Sequence, residues 1–123
     1  MYIFQLASQH ADWLAIRQSV TANNIANSDT PGFKAMDVVP FDAVLQRTGL
    51  ELAATSSGHM ALPPDAQGSL ATQRQSAWDV SSDGNDVSLE SELMKVSENG
   101  RQQALDTGLV KTFQRMLLSS LKV

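Results

Sequence analysis

The sequence contains no cysteine, which excludes disulfides and thiolate metal sites. Its two histidines, His10 and His59, stand apart from any cluster of Asp or Glu at ligand spacing, so no metal centre is expected. Aromatic residues make up 6% of the chain, and any core must therefore be mainly aliphatic. Neither sign of charge dominates locally. The 9 basic and 13 acidic residues are mixed along the chain and leave a net charge of −4, which gives neither the basic patch of a nucleic-acid binder nor a polybasic membrane segment. No stretch approaches the roughly 20 apolar residues of a membrane span, so direct membrane insertion is not expected. The start of the chain lacks a basic n-region, and Gln5, Ser8, Gln9 and His10 interrupt its apolar residues; a cleaved secretory signal is not expected. G-x-S-x-G, P-loop and dinucleotide fingerprints are also missing. The carboxylates form no pair suited to acid–base work. No catalytic, cofactor-binding or metal-binding residue is therefore assigned, and the chain reads as a structural protein rather than an enzyme.

What is present is helical at both ends. The length of 123 residues fits one domain, divided into residues 1–28, 29–85 and 86–123. Ile3 to about Ala26 has no proline or glycine. Two series, one through Ile3, Leu6, His10, Trp13, Arg17 and Val20 and one through Ala7, Ala11, Leu14, Gln18, Thr21 and Ile25, alternate steps of three and four, the coiled-coil period. Both contain polar members, so neither is a clean apolar seam. Asn27 to Gly32 is dense in turn formers, and Pro31-Gly32 suits the centre of a type II turn. Phe33 to Pro40 reads as extended and Phe41 to Gln46 as a short helix. From about Gly49 to Asn85 the chain is rich in Ser, Gly, Gln, Ala and Pro and reads as an irregular segment in which a short β-hairpin could form. Asp83-Gly84-Asn85-Asp86 reads as a turn leading to a cap at Ser88, since the glycine and glutamate of a calcium loop are missing. A long helix is expected from Leu89 to Leu121, with Glu90 and Glu92 at its positive end.

This last helix has more apolar surface than one partner can cover. In a 100° projection, Leu105, Leu109, Val110, Phe113, Met116, Leu117, Leu118 and Leu121 span an arc of roughly 220°, about twice the usual stripe. A chain this short has no large core to hide such an arc, so the missing cover should come from other subunits.

The segment Asn23-Asn24-Ile25-Ala26-Asn27-Ser28-Asp29-Thr30-Pro31-Gly32-Phe33-Lys34-Ala35-Met36-Asp37 resembles the N-terminal signature of the bacterial flagellar rod and hook family, N-N-I-A-N followed by T-x-G-[FY]-[KR]. The Asp29-Thr30-Pro31-Gly32 spelling and the Phe41-Asp42-Ala43-Val44-Leu45 stretch are similar to members at the proximal end of the rod. Thr55 with His59, the Asp83–Glu90 stretch, Met94, Glu98-Asn99 and Gln103-Ala104-Leu105 also fall on the family pattern. Gly100 inside the helix and Gln102 at an often aromatic position depart from it.

The resemblance implies a mainly α fold in which long N- and C-terminal helices form an antiparallel, coiled-coil-like hairpin joined by the irregular middle. It implies a structural subunit of the axial tube, transmitting torque and forming part of the export channel. The implied partners are other copies of the chain, FlgC-like and other rod subunits, a FliE-type adaptor and membrane ring, and the flagellar type III export apparatus. The implied location is the basal-body rod on the periplasmic side, reached without signal cleavage. Asn24, Ile25, Ala26, Asn27, Thr30, Pro31, Gly32, Phe33 and Lys34 are the expected signature turn, with Asn24 and Asn27 satisfying backbone groups. Leu6, Trp13, Val20, Leu105, Leu109, Phe113, Met116 and Leu117 are the expected assembly interface. Two alternatives stay open: an FlgC-like rod subunit, and a small helical export chaperone or adaptor.

Overall fold

The computed structural model describes residues 2–49, 72–74 and 82–121. Two long helices dominate it. Helix α1 runs Tyr2–Ala26, strand β1 Met36–Val38, helix α2 Phe41–Gly49, strand β2 Thr72–Arg74 and helix α3 Leu89–Leu121. Thr55, His59 and most of the Gly49–Asn85 segment lie outside the described residues. So does any hairpin internal to that segment. The strand described within it, β2, pairs instead with β1, antiparallel, in the register Met36↔Arg74, Asp37↔Gln73 and Val38↔Thr72.

Local chemistry sets the element ends. In α1, no proline or glycine interrupts 25 residues. At its end Asn27 N–H is shared between the Asn23 and Asn24 carbonyls at 3.1 Å each, and Ser28 N–H reaches Ile25 O at 3.2 Å. That tightening closes the last turn. Pro40 starts α2 through its carbonyl, which accepts from Ala43 and Val44 N–H. Ser88 starts α3: its carbonyl accepts from Glu92 N–H at 3.0 Å and its hydroxyl from Ser91 N–H at 3.4 Å. Glu90 and Glu92 stand in the first turn, where carboxylates meet the positive end of the helix dipole.

The core is small and sits between α1, β1 and α2. Trp13, Leu14 and Val38 are buried, with Val20, Phe41 and Val44 packed against them. The Trp13 indole N–H donates to Val39 O at 2.8 Å, and Arg17 lies over the same indole ring. His10 stacks on Trp13, and both rings meet Phe41. Helices α1 and α3 touch from one end to the other. Asn24 meets Glu92, Arg17 meets Asn99, His10 meets Asp106, and Phe4 meets Phe113. Every fully buried residue of the two helices lies within residues 13–24 or 92–99.

Candidate functional site

The signature turn is half of an interlock whose other half is the turn before α3. Pro31 and Gly32 form the centre of the first turn. Phe33 N–H closes it onto Thr30 O at 3.2 Å, and Gly32 has φ 72°, the left-handed value a type II turn requires. Asn27 braces it from α1, its amide donating to Asn23 O at 2.9 Å and Asn23 Oδ1 at 2.7 Å. In the second turn, Asp83 accepts from Asn85 N–H at 3.1 Å, and Asn85 Oδ1 accepts from Val87 N–H at 2.8 Å. These are the side-chain-to-backbone bonds that suit Asp and Asn to turns.

The two turns then bond to each other. The Asn85 amide, 4% exposed, donates to Asn27 O at 2.9 Å and Thr30 O at 2.7 Å. Gly32 N–H donates to Asp83 O and Asp86 N–H to Phe33 O. Ala35 N–H donates to Asp86 Oδ1 at 2.6 Å. Lys34 Nζ caps Gly84 O at 2.8 Å and lies 3.8 Å from Asp86. Gly84, at φ 83°, comes so near that a Cβ there would lie 3.6 Å from the Gly32 Cα.

Beneath this interlock is a buried polar cluster. Asn24 donates to Met36 O at 2.7 Å and accepts from Met36 N–H at 3.1 Å, tying α1 to β1. Its amide also donates to Glu92 Oε2 at 3.1 Å, and Glu92 is fully buried. Lys95 bridges Glu92 at 3.2 Å and Asp37 at 3.1 Å, while Arg17 lies 3.6 Å from Asp37. A buried carboxylate is tolerated only when paired and hydrogen-bonded, and Glu92 is both.

The apolar surface is at the other end of the long helices. Leu6, Leu109 and Phe113, with Ile3, Phe4 and Val110, line an apolar groove of about 280 Å³. Leu105, Leu109, Met116 and Leu117 are 62, 58, 55 and 38% exposed, too open for side chains of that type to have been satisfied by their own chain. In projection, Met94, Leu105, Leu109 and Met116 fall on one flank of α3 and Leu89, Leu93 and Leu118 on the other, each about 100° from the line facing α1. Trp13 and Val20 are not part of this surface: they belong to the core with Leu14 and Val38. Of the signature residues, Asn24 is buried, Ile25, Asn27, Phe33 and Lys34 are half-buried, and Ala26, Thr30, Pro31 and Gly32 are exposed.

Asn85, Glu92, Asn99 and Asp106 were not singled out as contact residues by sequence reasoning. The available signal was the seven-residue step of Glu92, Asn99 and Asp106, which matches that of His10, Arg17 and Asn24. Among the described residues no group of His, Asp or Glu could hold a metal ion, and no described helix is long and apolar enough to cross a membrane.

The geometry is that of a small folded junction carrying two long helices with uncovered apolar flanks. Its interlocking turn coincides with what known proteins share with this chain. The profile of the family described as "Flagella basal body rod protein" matches residues 13–34. The chain is 39% identical to the flagellar basal body rod protein FlgB of Agrobacterium fabrum (strain C58), over 98% of its own length and 92% of the relative's. It is 36% identical to the FlgB of Aeromonas hydrophila over 86% and 82%, and 31% identical to that of Escherichia coli (strain K12) over 85% and 85%. These relatives set aside the FlgC-like and export-adaptor alternatives. A match running from α1 through the interlock to α3, at this level of identity, means that the chain belongs to the FlgB family of structural flagellar basal body rod proteins.

Proposed function

We propose that the chain enters the proximal rod through the flanks and groove of α3, with α1 and α3 acting as an antiparallel helical hairpin in the wall of the axial tube. The exposed Leu105, Leu109, Met116 and Leu117 carry this reading, because fully burying a leucine or methionine contributes about 1.5–3 kcal/mol and their own chain covers these side chains only in part. Two separate apolar flanks on one helix suit contacts to two neighbours. Contacts that do not map a surface onto itself generate rings or open helices rather than closed pairs. The occupants of those contacts are other copies of this chain and FlgC-like rod subunits, with a FliE-type adaptor and the membrane ring at the base. The tube so formed transmits torque and contains part of the export channel. The role is mechanical, with no catalysis. The subunit leaves the cell body through the flagellar type III apparatus without signal cleavage and ends in the rod on the periplasmic side. Residues 1–28, 29–85 and 86–123 act as one rod-subunit domain.

The test is Leu109→Asp, expressed in cells lacking the wild-type chain. Leu109 is 58% exposed, so an aspartate there leaves the folded chain intact but forfeits about 2 kcal/mol of burial at a contact and adds the cost of desolvating a charge. Normal export, loss of incorporation into basal bodies and loss of swimming are expected. Cells that swim normally would remove α3 from the assembly surface.

A further inference from the structure

The line along which α3 faces α1 is mostly polar. On α3 it passes through Glu92, Asn99, Asp106 and Phe113, each seven residues from the last. On α1 it passes through Asn24, Arg17 and His10 at the same step in the opposite direction, ending at Phe4. The first three rungs are hydrogen-bonded pairs: Asn24–Glu92 at 3.1 Å, Arg17–Asn99 at 3.2 Å and His10–Asp106 at 2.6 Å. The fourth is an edge-to-face aromatic pair with centroids 5.3 Å apart. Arg17 is 14% exposed and His10 and Asp106 are each 21% exposed, so these rungs lie largely out of water.

Apolar burial alone does not select this arrangement. Turning α3 by about 100° would bring Met94, Leu105, Leu109 and Met116 against α1 in place of the polar line. Sliding α3 by one heptad would keep helix against helix. Each alternative breaks specific bonds. Rotation takes Glu92 from Asn24, Asp106 from His10 and Lys95 from Asp37. A slide sets Asp106 against Phe4 or Phe113 against His10, again separates Lys95 from Asp37, and draws the turn before α3 out of the interlock. Polar groups at the core positions of paired helices fix register and partner at a cost in stability.

We propose that the three polar rungs are a pairing code. They commit α1 to α3 in one register and one rotation, and so keep the leucine and methionine flanks turned outward for neighbouring subunits. The rungs position the assembly surface without belonging to it. This goes beyond the rod assignment, because it concerns the register and rotation of two helices inside one molecule.

The chain has no cysteine, so an introduced pair is the sole thiol pair present. Phe4→Cys with Phe113→Cys reports the observed register, and Phe4→Cys with Ser120→Cys a slide of one heptad. The full-length purified chain is oxidised, and the crosslink within one chain is separated from the dimer on a denaturing gel. One charge-assisted hydrogen bond is enough for a preference of about tenfold, so the in-register pair should close within one chain at least about tenfold faster than the slipped pair. In the background Glu92→Leu with Asn99→Leu and Asp106→Leu, which removes all three rungs, that preference should fall at least about tenfold, with helix content by circular dichroism retained or increased. His10→Asp, which sets two carboxylates face to face, should lower the preference about tenfold, and the exchange His10→Asp with Asp106→His should restore it. A parent chain with no register preference overturns the proposal. So does a leucine background that keeps the preference or loses helix, or an exchange that fails to restore what His10→Asp removed.

Discussion

Replacing Asn85 by alanine tests the interlock directly. The side chain is almost completely buried and makes three bonds. Its amide donates to Asn27 O and Thr30 O, and its oxygen accepts from Val87 N–H. Three neutral hydrogen bonds at about 1 kcal/mol each give a loss of about 3 kcal/mol, with the Val87 N–H left without its acceptor raising rather than lowering that figure. With a urea slope of about 1–3 kcal/mol per molar, the unfolding midpoint should fall by about 1–3 M. Hydrogen exchange should then accelerate at Gly32, Asp86 and Val87, whose N–H groups bond within or across the interlock. Asn85→Asp is the discriminating partner variant. It keeps an acceptor for Val87 N–H but replaces both donations by a carboxylate aimed at two carbonyl oxygens. It should therefore destabilise at least as much as alanine, although aspartate is nearer to asparagine in size and shape. An alanine variant within about 0.5 kcal/mol of the parent, the usual range for a surface change, would refute the reasoning that the two turns are held by Asn85. An aspartate variant close to the parent would do the same.

Three further outcomes are expected. Trp13→Phe keeps most of the apolar volume but leaves Val39 O without the indole donor, so stability should fall by about 1–3 kcal/mol, read as a lower melting temperature. Gly84→Ala forces a side chain into left-handed backbone at φ 83° and should cost about 1–2 kcal/mol in urea unfolding. Gly108→Ala adds a methyl in the interior of α3 that meets nothing within 4 Å; it should stabilise the isolated chain by about 0.8–1 kcal/mol, and an unchanged or lower melting temperature would contradict this.

The element boundaries were legible because they follow local rules. The uninterrupted stretch ahead of Asn27 gave α1, the Ser88 cap gave the start of α3, and Pro31-Gly32 gave the turn closed by Phe33 N–H on Thr30 O. The line between the helices was not legible. Apolar periodicity directs attention to Leu6, Trp13 and Val20, and treats His10 and Arg17 as defects in the seam. A hydrophobicity scale scores residues singly, whereas the free energy of a buried polar group depends on its partner. Arg17 is acceptable there because Asn99, Asp37 and Glu98 surround it. Trp13, expected at the interface, is in the core because α2 and β1 bring Phe41 and Val38 to it. The pairing of β2 with β1 was also out of reach, since strands of three residues carry almost no pattern.

The near-contact of Gly32 and Gly84 has a consequence for length. It pins two points of the chain side by side, so the polypeptide between them leaves and returns at one place. Doubling the number of residues in a closed excursion costs only about 0.6 kcal/mol of additional entropy. Residues added between these two points therefore cost little, and an inserted domain there would leave the two long helices in their positions.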